Sequence, residues 1–76
     1  MPKLPILSGQ EIIKVLKNMG YRPIRQKGSH IRLDCEISGR KRITVPDYKS
    51  IDIGLLSKIL KNAGITKEEF LALIKK

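Results

Sequence analysis

The chain has 76 residues, which suffice for one hydrophobic core, so we expect a single domain over residues 1–76. Its 16 lysine and arginine residues against 7 acidic residues give a net charge of +9, and this excess indicates a polyanionic partner such as nucleic acid. One cysteine excludes an internal disulfide and a multi-thiolate metal site, and no apolar run approaches the roughly 20 residues of a membrane span. The first ten residues lack the pattern of a signal peptide, so we expect a cytoplasmic protein without metal or other cofactor.

The first predicted element is a helix over about residues 9–19. Ser8 and Glu11 have the spacing of a capping box at its start. Apolar residues then follow the i, i+3, i+4, i+7 spacing of one buried stripe: Ile12, Val15, Leu16 and Met19. Gly20 suits the left-handed conformation that commonly ends a helix.

The middle of the chain predicts a three-stranded antiparallel sheet and carries most of the charge. Residues 21–49 hold eight basic and three acidic side chains, a net of +5. Residues 30–37 alternate in polarity, which is typical of a strand with one buried and one exposed face. The predicted core side consists of Ile31, Leu33, Cys35 and Ile37. The predicted solvent side consists of His30, Arg32, Asp34 and Glu36.

The strand pairing can be predicted from turn chemistry. A two-residue turn at Lys27-Gly28 would set Ile24 opposite Ile31 and Arg25 opposite His30. This register keeps both apolar residues on the core side.

The next pairing requires an odd-length loop, for which we take residues 38–40, because an even one would bury an arginine. The predicted pairs are then Leu33 with Val45, Cys35 with Ile43, and Glu36 with Arg42. Pro46 ends the third strand because it has no N–H to donate.

Two helices complete the predicted fold. Asp52 can cap the first of them and Gly64 can end it, while Thr66 and Glu69 form a second capping box ahead of a helix over about residues 67–75. The order α-β-β-β-α-α predicts a two-layer α+β sandwich with the helices on one sheet face. The other face is then exposed to solvent and carries Arg25, His30, Arg32, Asp34, Glu36, Arg42 and Thr44.

His30 is the principal candidate for chemistry because it is the one imidazole of the chain and lies beside a turn on this basic face. RNA can be cleaved without a metal when a base takes the 2′-hydroxyl proton and an acid protonates the leaving 5′-oxygen. Histidine, as a residue type, can serve in either role near neutral pH. Arg25 and Arg32 could bind the phosphate and stabilise its developing charge.

Several motifs together resemble the HicA-type mRNA interferase toxins. They are Gly20-Tyr21 with Arg25, Gly28-Ser29-His30 at a hairpin, Ile43-Thr44-Val45-Pro46, and the helix ending that runs from Gly54 to Ile65. The resemblance implies a double-stranded-RNA-binding-domain-like fold and a toxin of a toxin–antitoxin pair. It also implies mRNA cleavage that does not need translation, a catalytic role for His30, and inhibition by a HicB-like antitoxin. Together with the chemistry of a lone imidazole, it predicts an endoribonuclease that needs no metal.

The RNA-binding residues expected beside His30 are Arg25, Lys27, Gly28, Ser29, Arg32 and Arg42. The chain departs from the family pattern in two places. Asp47-Tyr48-Lys49 stands where a histidine often follows the Val-Pro, and Gly54-Leu55 stands where Gly-Thr is common.

Two other functions are compatible with the sequence. One is a non-catalytic RNA- or DNA-binding module, and the other is a protein-interaction domain with an acidic target. Residues 55–75 superficially resemble a helix-turn-helix. However, Glu68 and Glu69 in the first turn of the would-be recognition helix would repel phosphates, so binding through the sheet is the better interpretation.

Overall fold

Three helices and a three-stranded antiparallel sheet make up the part of the chain that the structure, a computed structural model, describes, residues 4–37 and 39–74. In chain order they are α1 Gly9–Lys17, β1 Tyr21–Lys27, β2 His30–Cys35, β3 Ile43–Pro46, α2 Ile53–Ala63 and α3 Lys67–Ile74. The strand order in the sheet is β1-β2-β3, so β2 is central. The predicted α-β-β-β-α-α order is confirmed, and the predictions for residues 38 and 75 lie outside the described residues.

The core lies between one face of the sheet and the helices. Helices α1 and α2 pack on the sheet, and α3 packs against α1 and adds the fully buried Phe70. The core includes Ile12, Leu16, Ile31, Leu33, Ile43, Val45, Leu56 and Leu60. Because the three helices lie on one side, the opposite sheet face is free, which confirms the predicted two-layer α+β sandwich. In the described part of the chain, every helix is too short or too polar to cross a membrane.

The helix starts are set by the predicted caps. The Ser8 hydroxyl accepts from the N–H of Glu11 at 3.1 Å, and the Glu11 carboxylate accepts from the N–H of Ser8 at 3.0 Å. Hydrogen bonding of the Glu11 carboxylate to the backbone N–H of Ser8, and to a lesser extent to its side chain, holds the pKa of Glu11 below its usual value. The Asp52 carboxylate likewise accepts from the N–H of Leu55 at 2.8 Å.

The helix ends also follow the prediction. Gly64 has φ +74°, and the N–H of Ile65 donates to the carbonyl of Leu60 at 2.9 Å, as expected for a Schellman-type ending. Gly20 has φ +96°, although α1 itself ends at Lys17, two residues earlier than predicted.

The predicted β1–β2 register is wrong by two residues. The turn consists of Gly28 and Ser29, and Lys27 pairs with His30. Gly28 has φ +58° while Ser29 is not in the positive-φ region, which is the pattern of a turn with glycine in its first central position. The predicted turn would have required positive φ at Lys27, which a side chain disfavours.

A β-bulge between Pro23 and Arg25 accounts for the second error in this strand. Ile24, predicted to face the core opposite Ile31, lies in the bulge and is 45% exposed. Arg25 pairs with Arg32 and not, as predicted, with His30. Proline cannot donate to the ladder, so a bulge on an edge strand is where it is tolerated.

The predicted β2–β3 register is also wrong by two residues. Leu33 pairs with Ile43, and Ile31 pairs with Val45, because the loop is longer than the three residues assumed. The parity was correct, so the predicted core-facing residues of β3 face the core. Beyond the strand, however, Ile37 is 54% exposed because the chain leaves the sheet after Cys35.

The end of β3 is tied to both α1 and the hairpin turn. Asp47 donates its N–H to the carbonyl of Ser29 at 2.6 Å, and Gly9 donates its N–H to the carbonyl of Tyr48 at 2.9 Å. A Cβ atom on Gly9 would overlap the carbonyl oxygen of Pro46, so α1 meets this segment at the closest distance that a glycine permits. These contacts fix the backbone around His30.

Candidate functional site

A cleft of about 560 Å³ lies on the free face of the sheet, at the end that carries the β1–β2 turn. Its size is within the range of sites that hold small molecules or parts of larger ligands. It is lined by Ile24, Arg25, Lys27, His30, Arg32, Arg42 and Thr44. Five of the predicted site residues, from three different strands or their flanks, are therefore brought together.

His30 begins the central strand and is held between its two neighbours. It pairs with Lys27 on one side and with Pro46 on the other, and its side chain is exposed in the cleft. Strand alternation places it on the face opposite Ile31, which is buried. The prediction that His30 faces solvent is thus confirmed.

The cleft concentrates positive charge, and among the described residues only Arg42 of its cations is paired with an acid. Arg25 stands directly opposite Arg32, an arrangement of like charges that costs stability in a sheet. The lining contains four cationic side chains besides His30 and no carboxylate. An anion bound in the cleft would offset this repulsion, so the electrostatics favour a phosphate-bearing ligand.

Arg32 is oriented by a neighbour on β3. Its Nη1 donates to the Thr44 hydroxyl at 3.1 Å, and the two residues are cross-strand partners. Such a hydrogen bond limits the rotamers of a long side chain, so the remaining guanidinium N–H groups point to a defined region.

The carboxylates of this sheet face are paired with arginines. Asp34 lies 3.4 Å from Arg42 Nε, and Glu36 lies 3.7 Å from Arg22 Nη1. Neither acid lines the cleft. The groups that surround His30 in the cleft are therefore cationic, apolar or hydroxyl-bearing side chains.

Gly28 and Ser29 flank the cleft without lining it. A Cβ atom on Gly28 would meet nothing within 4 Å, so its positive φ is the reason for glycine here. The Gln26 side chain donates to the Gly28 carbonyl at 3.1 Å and braces the turn. The open space beside Gly28 leaves its backbone accessible to a ligand.

Ile24 is the residue of the cleft that sequence reasoning missed. It supplies an apolar side chain among the cations, and it does so because the bulge turns it away from the core. A proline inside a strand signals an edge or a bulge, so Pro23 was the available clue.

The loop after β3 takes no part in the cleft. Asp47 accepts a hydrogen bond from Gln10 Nε2 at 3.1 Å, and Tyr48 is half exposed on the surface.

Cys35 is partly buried, with its thiol 3.7 Å from the Met19 carbonyl. Among the residues that the structure describes, no group of three or more histidine, cysteine or acidic side chains is placed to hold a metal ion.

Comparisons with known proteins identify a family and a similar solved structure. The family model described as "HicA toxin of bacterial toxin-antitoxin" matches residues 9–65. A chain of a structure titled "Toxin-Antitoxin complex from Streptococcus pneumoniae" is 28% identical and superposes with a TM-score of 0.65, covering 78% of this chain and 98% of that one. No curated protein sequence matches the chain.

Proposed function

The chain belongs to the HicA toxin family of bacterial toxin–antitoxin systems, and from this premise we propose that it is an endoribonuclease that cleaves mRNA with His30 as its general acid–base. The observation that carries the proposal is the position of the one imidazole, exposed in a cleft whose other charged side chains are all cationic. General acid–base chemistry needs an accessible titratable group, and phosphodiester binding needs cations beside it.

The reaction that fits this cleft is an attack of the ribose 2′-oxygen on the adjacent phosphorus. His30 takes the proton of the 2′-hydroxyl as the new P–O bond forms. The bond from phosphorus to the 5′-oxygen breaks, and that oxygen must receive a proton, which the imidazolium can return. The products are a 2′,3′-cyclic phosphate and a 5′-hydroxyl end, so atoms and protons balance without any further reactant.

The arginines of the cleft stabilise the charge that develops on the phosphoryl oxygens. Arg32, held by Thr44, and Arg25 opposite it can donate to those oxygens from two neighbouring strands. Lys27 and Arg42 extend the positive potential along the substrate. Ile24 offers an apolar surface against which a ribose or base can pack, and Gly28 and Ser29, in the turn between Lys27 and His30, can offer a bare backbone and a hydroxyl to a phosphate.

One imidazole sets the scale of the expected rate. A single positioned acid–base group contributes about 10²–10⁴-fold. We therefore expect a slow nuclease that does not need a metal.

The proposed partner is an antitoxin of the HicB type, and the proposed place of action is the cytoplasm, where mRNA is found. The solved structure similar to this chain is a toxin–antitoxin complex, which supports an antitoxin partner. A small reading frame next to the gene, whose product binds this chain and suppresses cleavage, would be the expected finding.

The test compares the wild type with His30→Ala on a defined mRNA in the presence of EDTA. We expect the wild type to cleave, and the variant to lose cleavage while it still binds RNA and unfolds at the wild-type temperature, because the His30 side chain is exposed. Cleavage by both proteins would exclude the proposed role of His30. If both bind RNA and neither cleaves it, the chain is a non-catalytic RNA-binding module.

A further inference from the structure

A second cationic cleft, also of about 560 Å³, lies between the loop that joins β2 to β3 and the end of α2. Its lining comprises Gly39, Lys41, Arg42, Lys61, Asn62, Ala63 and Gly64. Three of these side chains are cationic and none is acidic or aromatic. The composition fits the phosphate backbone of a nucleic acid better than a base or an apolar group.

The loop that carries Lys41 is fixed to the protein on two sides. The hydroxyl of Tyr21, a core residue, donates to the Lys41 carbonyl at 2.8 Å. Arg40 Nη1 donates to the carbonyls of Gly64 at 2.5 Å and Ala63 at 3.4 Å. The cations of the cleft therefore stand on a braced backbone, which lowers the entropic cost of binding.

Arg40 also neutralises negative charge at the end of α2 and on Glu69 that would otherwise repel a bound anion. The carbonyl end of a helix carries partial negative charge, and here Arg40 satisfies it at α2 while its Nη2 lies 3.6 Å from the Glu69 carboxylate. Within residues 4–37 and 39–74, neither Lys41 nor Lys61 forms an ion pair. Their charge is available to an external ligand.

Arg42 joins this cleft to the first one. It lines both, and its exposed guanidinium lies beside Asp34 at the boundary between them. The two clefts are therefore joined through Arg42, and cationic side chains follow one another from the cleft of His30 to Lys41 and Lys61, with Asp34 paired to Arg42 between them.

We propose that the second cleft is a subsite for the backbone of the same RNA strand whose scissile phosphate lies at His30, an inference that rests on the proposed function. The subsite would bind without regard to base sequence, because it presents ammonium and guanidinium groups to phosphates. It would hold nucleotides remote from the cut and would lengthen the RNA that the protein covers.

The test uses the full chain carrying His30→Ala, so that RNA stays intact, and measures affinity by fluorescence anisotropy at several salt concentrations. The probes are a tetranucleotide, which can occupy the first cleft, and an RNA several times longer. In this background Lys41→Ala with Lys61→Ala should weaken binding of the long RNA roughly tenfold at low salt. For the long RNA, the slope of the logarithm of the binding constant against the logarithm of the salt concentration should become shallower by about 1.4, because each single-strand phosphate that a lysine neutralises contributes about 0.7. Tetranucleotide binding should change little.

The matched control removes two lysines that line neither cationic cleft, Lys14 on α1 and Lys58 on α2. This pair lowers the net charge equally and should leave the slope unchanged. An equal loss of affinity in the control pair would overturn the subsite in favour of diffuse electrostatics, as would an unchanged long-RNA affinity in the Lys41/Lys61 variant. If neither RNA binds any of these proteins, including the one that carries His30→Ala alone, the proposed function is contradicted instead. Failure of the subsite and failure of the proposed function are therefore distinguishable.

Discussion

Gly9, the first residue of α1, lies against the backbone at the end of β3, and we expect Gly9→Ala to destabilise the protein. An added Cβ would overlap the Pro46 carbonyl oxygen and would lie 3.1 Å from the Cα of Asp47. Both neighbours are backbone atoms, so no side chain can rotate away. The segment around Pro46 and Asp47 would have to move away from the helix. This movement would also disturb the hydrogen bond from the Asp47 N–H to the Ser29 carbonyl in the hairpin turn.

The sign of the effect can be worked out from competing contributions. Alanine is better than glycine in a helix by up to about 1 kcal/mol. Overpacking against rigid backbone costs about 1–3 kcal/mol. Loss of the hydrogen bond from Gly9 to the Tyr48 carbonyl costs a further amount of about 0.5–1.5 kcal/mol. The net loss is about 2 kcal/mol, which corresponds to a fall in Tm of roughly 10 °C for a domain of this size.

Gly54→Ala is the matched control, because Gly54 also lies in the first turn of a helix, α2. Its added Cβ would meet no backbone atom, only Asp52 Oδ1 at 3.2 Å, the side-chain oxygen that caps the helix by accepting from the Leu55 N–H. A small shift of this cap would offset the helix propensity that alanine gains. Thermal unfolding followed by circular dichroism should therefore give a clearly lower Tm for Gly9→Ala and a Tm close to that of the wild type for Gly54→Ala. An unchanged or higher Tm for Gly9→Ala would refute the close approach of α1 to the end of β3.

Three further substitutions test individual interactions. The pKa of Glu69 is held below its usual 4.5 chiefly by hydrogen bonds to Thr66 and also by Arg40. The stability advantage of the wild type over Glu69→Gln should therefore be present at neutral pH. It should vanish as the pH falls through the folded-state pKa, which acid unfolding of the two proteins would measure. Tyr21→Phe removes the hydroxyl that holds the β2–β3 loop and should lower the free energy of unfolding in urea by about 0.5–1.5 kcal/mol. Thr44→Val removes the acceptor that orients Arg32 and should lower kcat/KM for RNA cleavage roughly 2- to 10-fold with no loss of Tm; an unchanged kcat/KM would show that Arg32 needs no such support.

Local signals in the sequence were sufficient to predict the helix starts and the orientation of the strands. The capping boxes at Ser8 and Thr66 satisfy backbone groups within four residues, so no distant interaction can override them easily. The alternation after His30 similarly requires only that one face be buried. The exposure of His30 followed from this parity alone.

Registers depend on turns and loops, and there the sequence was less informative. Lys27-Gly28 and Gly28-Ser29 both contain the glycine of a turn, but only the second places it at the first central position, where φ must be positive. Because the error was two residues in the β2–β3 pairing and, between the turn and the bulge, in the β1–β2 pairing, facing was preserved there while the partner of Arg25 changed. The candidate cleft was thus predicted in most of its members but not in its geometry, and Ile24 was missed because a bulge reverses facing locally.

The similarity to the HicA family extends to residue 65, yet α3 begins at Lys67. This short helix supplies Phe70, whose side chain has no exposed surface, and Glu69, which pairs with Arg40. Removing a buried phenylalanine costs about 3–5 kcal/mol, which is comparable to all the stability that a domain of this size usually possesses. A recombinant fragment trimmed to the family region would therefore be a poor choice for biochemical work, since it would open to water the interior that α3 seals.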